Sequence, residues 1–213
     1  MLVVLLLAGF LANNTYAQSI KGEGPVVKQE IQLDAFTAVG LSGSGNVYIE
    51  RGSTQKVVVE AQQNIIDHIK REVKNGSWNI GFDKNVRNYD KLNVYITIPT
   101  VKGLSIAGSG KIMSKSDFND LDKVDFSISG SGTIEFSGSA KMAQVSIAGS
   151  GDVKAENFKA EECKVSISGS GDCFVDVAEM LNVSIAGSGD VHYKGRPRVK
   201  SSIAGSGNLK SMD

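Results

Sequence analysis

The chain has 213 residues, enough for one or two domains with a continuous core. Its 23 basic and 23 acidic side chains balance, so no field of one sign steers it to nucleic acid or to an anionic membrane. With 24 glycines, three prolines and 7% aromatic residues, it favours tight turns and small side chains over a large aromatic core, and the regular spacing of its aliphatic residues excludes disorder.

The first element is an uncharged apolar run from Met1 to Ala12. A membrane span needs roughly 20 residues, so this run is too short to be one. It fits the apolar part of a secretory signal, with Thr15 and Ala17 as small residues before a cut after Ala17. Residues 1–17 are therefore read as a signal peptide, although the basic residues that normally precede such a run are missing. A buried N-terminal strand is the competing reading. No cysteine lies near the cut, so a lipid anchor is not indicated. Residues 18–213 then form a single exported domain, irregular over 18–100 and regular over 101–213, with no membrane span.

In the irregular half, Val26 to Leu33, Phe36 to Val39, Val47 to Ile49, Val57 to Val59, Trp78 to Phe82 and Leu92 to Ile98 read as strands, several with period-two alternation. One segment differs. Ile65, Ile66, Ile69 and Val73 recur at helical spacing, with Asn64 placed to cap the start and Gly76 to end the helix. The spacing predicts one short helix here. Pro99 ends the strand that leads into the regular half.

The regular half is a repeat. Gly-Ser-Gly occurs seven times, with flanking glycines Gly43 and Gly45, Gly108 and Gly110, Gly130 and Gly132, Gly149 and Gly151, Gly169 and Gly171, Gly187 and Gly189, and Gly205 and Gly207. From Gly108 the steps are 22, 19, 20, 18 and 18 residues. That is too short for a helix pair and suits one coil of a parallel β-solenoid. Before each of the last six turns stands Ser-Ile-small, with serines at 105, 127, 146, 166, 184 and 202. Two residues before each isoleucine is another apolar residue (Leu104, Phe126, Val145, Val165, Val183), except for Ser201 in the last coil. After each turn a polar residue precedes an apolar one, as in Asp152-Val153 or Asp172-Cys173. The alternation predicts two inward apolar ladders, an outward serine column and a glycine corner. The glycines are expected to supply positive φ and close backbone approach, and the stacked hydroxyls to satisfy one another. Cys163 and Cys173 fall on inward positions, so two buried thiols are expected over a disulfide.

These residues carry a family resemblance. Phe36-x-x-Val39 before the first turn, Val94-x-Ile96-x-Ile98-Pro99, the serial Ser-Ile-x-Gly-Ser-Gly units and the segment from Gly187 to Lys200 resemble the bacterial putative auto-transporter adhesin, head GIN domain family. The resemblance covers about residues 33 to 211. It implies an all-β, right-handed parallel β-helix and an exported protein of Bacteroidetes-type bacteria, placed in the periplasm, on the outer-membrane surface or outside the cell. It brings no catalytic residues and no cofactor.

Several residues have side chains that could carry chemistry. Asp152, Asp172 and Asp190 follow three successive turns, and in register their carboxylates would align as weak candidates for a cation site. Lys111, Thr133 and Asn208 fill the same slot elsewhere, which favours a solvated strip instead. His68 and His192 are the only histidines and are far apart in sequence, which argues against a metal site or a nucleophilic triad. A serine repeated in six coils is structural, because a nucleophile needs a unique environment. Lys194, Arg196, Arg198 and Lys200 are expected in the loop between the last two coils. Trp78 reads as core, and Tyr89 is a candidate binding aromatic.

The sequence thus predicts a non-enzymatic adhesin-like or scaffolding module, with a cell-surface glycan or protein as partner. The alternative is a carbohydrate-binding or polysaccharide-degrading β-helix protein. Little chain follows the last coil to cover its edge, which predicts an end-to-end homodimer or a covering partner.

Overall fold

The structure, a computed structural model, describes residues 19–213. The proposed signal peptide lies outside the described residues.

In chain order the elements are β1 (Val26–Glu30), β2 (Ala38–Gly43), β3 (Asn46–Arg51), β4 (Lys56–Gln62), α1 (Gln63–Ile66), β5 (Val73–Lys74), β6 (Ser77–Ile80), β7 (Asn93–Ile98), β8 (Gly103–Gly108) and β9 (Lys111–Ser114). They continue with β10 (Phe118–Gly130), β11 (Thr133–Gly149), β12 (Asp152–Gly169), β13 (Cys173–Gly187), β14 (Val191–Lys194), β15 (Arg198–Gly205) and β16 (Leu209–Ser211). All sixteen strands belong to one hydrogen-bonded sheet that coils into a β-solenoid.

The coil has two faces. On the first, β6, β2, β8, β10, β11, β12, β13 and β15 stack in parallel. On the second, β7, β3, β9, the starts of β11, β12 and β13, then β14 and β16 stack in parallel. The strands β11 to β13 run 15 to 18 residues because each crosses from the second face to the first. Register shifts mark the bend, between Glu135 and Ser137 and between Ala155 and Lys159. The extra residues at these points, one in the first shift and three in the second, let a strand turn a corner without losing its pairing on either side.

The ladders are those the alternation predicts. Ile80, Leu41, Ile106, Ile128, Ile147, Ile167 and Ile185 stack one per coil, each at most 2% exposed. Val94, Val47, Ile112, Ile134, Val153, Cys173 and Val191 line the opposite wall, all buried. Burial of each such side chain contributes about 1.5–3 kcal/mol, so the stack is held mainly by these two columns. Phe118, Phe136 and Phe158 plug the inside of the bend, with centroids 5.3 Å apart between successive rings. Both cysteines are free and buried, as their register predicts.

The irregular half is ordered differently from the sequence. The coil made by β2 and β3 does not end the stack. It lies between the coil of β8 and β9 on one side and that of β6 and β7 on the other, although β6 and β7 follow it in the chain. Beyond β7 the second face continues antiparallel through β4 and β1. Beyond β6 the first face is closed by antiparallel β5.

The helix corrects the sequence reading. It spans only Gln63–Ile66, and Asn64 lies inside it rather than capping it. The Asn64 amide instead ties down the N-terminal segment, donating to Lys21 O at 2.7 Å and accepting from Glu23 N at 3.0 Å. Ile65 and Ile66 are buried, but Ile69 bridges to Phe82 and Val73 belongs to β5. Gly76, at φ 71°, forms the β5–β6 turn rather than a helix end. Sheet pairing of β6 with β2 thus overrides helical periodicity after one turn.

Candidate interaction faces

The Gly-Ser-Gly corner owes its composition to two different constraints. Gly149, first in its turn, has φ 124°, and a Cβ there would collide with the Gly130 carbonyl oxygen of the coil below. Gly151, third in the turn, has no positive φ, so the expected left-handed backbone is absent there. It is confined by space: a Cβ would sit 2.6 Å from Ile128 Cγ2 and 2.5 Å from Gly132 O. Backbone geometry and close packing between coils thus account for both glycines.

The three aspartates do align, and their carboxylates are used by the backbone. Asp152 Oδ1 accepts the N–H of Asp172 at 3.1 Å, Asp172 Oδ1 that of Asp190 at 2.8 Å, and Asp190 Oδ1 that of Asn208 at 2.8 Å. Where the coil below carries Lys111 or Thr133 in this slot, the equivalent N–H groups, of Thr133 and Asp152, go to glycine carbonyls instead. The aspartate column is therefore a set of inter-coil clips. At its end Lys210 and Asn208 donate to Asp190 and hold its carboxyl down to about 2. Among the described residues no group of three or more His, Cys, Asp or Glu side chains converges as a metal site would require.

The outer side of the first face is flat and polar. Ser105, Ser127, Ser146, Ser166, Ser184 and Ser202 form one continuous row. From Ser127 onward they are exposed. Among the described residues no hydrogen bond joins one of these hydroxyls to the next, whereas Ser114 Oγ and Ser137 Oγ do meet across two coils elsewhere, at 3.2 Å. The expected mutual satisfaction of the hydroxyls thus gives way to a column whose donors and acceptors face water. A parallel row beside it reads Gly103, Asp125, Gln144, Lys164, Asn182 and Lys200. Six rungs give this face a length of roughly 24 Å.

The outer side of the second face carries stacked rings that single-residue reading missed. Tyr48 and Tyr95 stack at 5.1 Å, with Lys115 over the first ring and Lys28 over the second. Glu60 accepts from Tyr95 Oη and Asn93 Nδ2, both at 2.9 Å. Those bonds lower the Glu60 pKa, while burial and the Glu60 contact raise that of Tyr95. A repeated tetrapeptide is the signal: Asn46-Val-Tyr-Ile49 recurs as Asn93-Val-Tyr-Ile96, and the two pair residue for residue. Further along, Phe174 and His192 stack at 4.7 Å. In both pairs the rings lie against each other.

The remaining candidates have structural tasks. His68 meets Asp83 at 3.0 Å, far along the chain from His192. Trp78 is fully buried, as read, with Nε1 donating to Lys70 O at 2.9 Å. Tyr89 donates to Ser44 O at 2.7 Å and packs on Phe82, so it pins the 81–92 connection to the first turn. In the basic segment only Gly195 to Pro197 form the connection; Lys194 ends β14, while Arg198 and Lys200 lie in β15.

Residues 35–197 match the family described as putative auto-transporter adhesin, head GIN domain. The chain belongs to this family. Solved structures share the head GIN fold. A putative adhesin from Bacteroides fragilis is 24% identical, with a TM-score of 0.74 over 91% of this chain and 100% of that one. A putative adhesin from Parabacteroides merdae is 21% identical, with a TM-score of 0.57 over 92% of this chain and 100% of that one. A protein from Parabacteroides distasonis described as a putative lipid binding protein is 22% identical, with a TM-score of 0.58 over 92% and 100%. No curated protein matches the chain. The description of the head GIN family names a putative adhesin, not an enzyme.

Proposed function

We propose that the protein is an exported, non-enzymatic, adhesin-like module of the cell envelope that binds a glycan or protein along the outer side of its first face. The observation that carries this reading is the exposed serine column from Ser127 to Ser202, flanked by Gln144, Lys164 and Asn182. A strip of hydroxyl, amide and ammonium groups suits a polar, extended ligand, because successive coils repeat the serine hydroxyl at a fixed spacing beside Gln144, Lys164 and Asn182. Family membership supports a surface task in the same direction. Hydrolysis needs two carboxylates across a cleft, whereas the aligned carboxylates Asp152, Asp172 and Asp190 are each committed to the backbone of the next coil.

The test is a glycan array and a surface-protein pull-down with the exported chain, alongside a polysaccharide breakdown assay. Binding without turnover that is lost in Ser146→Arg/Ser166→Arg supports the reading. Turnover, or binding indifferent to those substitutions, overturns it. Fractionation of the native cells checks export, and recovery in the cytoplasm defeats that part.

A further inference from the structure

The two ends of the solenoid are finished differently. At one end β5 covers β6, and β4 and β1 cover β7. At the other, among the described residues, β15 pairs only with β13, and all eight of its residues are exposed. Its inward side chains occupy the ladders but have no coil above them. Val199 is 38% and Ile203 40% exposed, whereas Leu181 and Ile185 below them are at most 1% exposed. A free strand edge with bare inward side chains attracts a further strand.

We propose that this end joins two copies of the chain, with β15 pairing antiparallel to β15 of a second copy about a twofold axis at Ser201. The register follows from the strand itself. With Ser201 opposite Ser201, Val199 meets Ile203 of the second copy and Ile203 meets its Val199. Both bare apolar side chains are then covered twice over. On the outer side Lys200 falls opposite Ser202 and Arg198 opposite Ala204, so no two cations face directly. Centring on Lys200 instead would oppose two ammonium groups, and centring on Ser202 would set Ile203 against Ser201. A one-residue slip would turn the inward residues of one copy to the outer side of the other. The arrangement also gives Ser201 a task. It is the one polar residue in a column otherwise made of Trp78, Val39, Leu104, Phe126, Val145, Val165 and Val183. On the axis its hydroxyl meets its own copy and fixes the register, as a polar residue does in other self-pairing cores.

The charges give the interface a signature. Lys200 of the two copies are diagonal neighbours, roughly 7–8 Å apart. Salt screens this repulsion, so association strengthens as salt rises, unlike attachment of an acidic partner strand.

Sedimentation of the exported chain without ligand, over a wide concentration range at low and high salt, tests the proposal independently of the binding face. The expected result is a monomer–dimer equilibrium whose dissociation constant falls about tenfold from low to high salt. Ile203→Lys should give a monomer with an unchanged far-ultraviolet spectrum. Lys200→Ser should tighten the dimer at low salt and remove most of the salt dependence. A chain that stays monomeric throughout, or a dimer that neither substitution moves, overturns the proposal.

Discussion

Asp172 Oδ1 lies 2.8 Å from the backbone nitrogen of Asp190, one coil further along the stack. A carboxylate thus replaces the carbonyl that would otherwise accept this N–H. Truncating it should leave a half-buried donor without a partner. Asp172→Ala is expected to cost about 1–2 kcal/mol, and Asp172→Asn, which keeps an acceptor oxygen, well under half of that. Urea unfolding of the two variants checks the order.

The last clip should make stability fall in acid. Donation from Lys210 and Asn208 depresses the Asp190 carboxyl to about 2. An unfolded aspartate titrates near ~3.9. The folded chain therefore keeps this carboxylate ionised where the unfolded chain binds a proton. The contribution is fully present above about pH 4 and is lost as the pH falls towards 2. The difference in urea midpoint between the native chain and Asp190→Asn should shrink over that window.

Gly149 and Gly81 should respond very differently to the same substitution. Gly149→Ala forces a side chain onto φ 124° and against the Gly130 backbone, with no flexible group to yield. A loss of about 2–4 kcal/mol is expected. A Cβ on Gly81 meets only Ser42 Cβ at 3.5 Å and does so without a positive φ, so Gly81→Ala should be close to neutral. Thermal melting of the pair separates a corner that demands glycine from a connection that merely contains it.

Both cysteines should resist alkylation until the solenoid opens. Burial pushes the Cys163 thiol up to about 12 and raises that of Cys173 as well. The thiolate is the reactive form, so at pH 8 almost none is present in the folded chain. Mass spectrometry after iodoacetamide treatment should show no adduct in buffer and two adducts in denaturant. One or two adducts on the folded chain, or none in denaturant, would defeat the expectation.

The regular half was legible because its constraints repeat. Six copies of Ser-Ile-small reveal inward and outward positions that one copy would leave ambiguous, and the register pairs Ile128, Ile147, Ile167 and Ile185 as the spacing predicts. The irregular half was less legible for two reasons. Ile65, Ile66, Ile69 and Val73 satisfy a helical period, but pairing of the residues that follow decides their conformation. The order of the first coils is also non-local: β6 joins β2 and β7 joins β3 from further down the chain. Only the Asn-Val-Tyr-Ile duplication hinted at this. The aspartate column was seen, but its partner was not, because a side chain that serves a backbone N–H in the next coil leaves no trace in residue type.

The interleaving of the β2–β3 coil between β6–β7 and β8–β9 bears on how the molecule yields to force. The coils from Gly149 to Gly205 follow one another at 18 to 20 residues and touch only the coil before and after. In a single copy, tension on the C-terminus should peel them one at a time from the β15 end, each releasing roughly 60–70 Å of chain. The N-terminal end cannot unzip in this way, since removing β2 and β3 means drawing them out from between two coils at once. A tether built like this pays out length in steps from one side while its other side holds as a block.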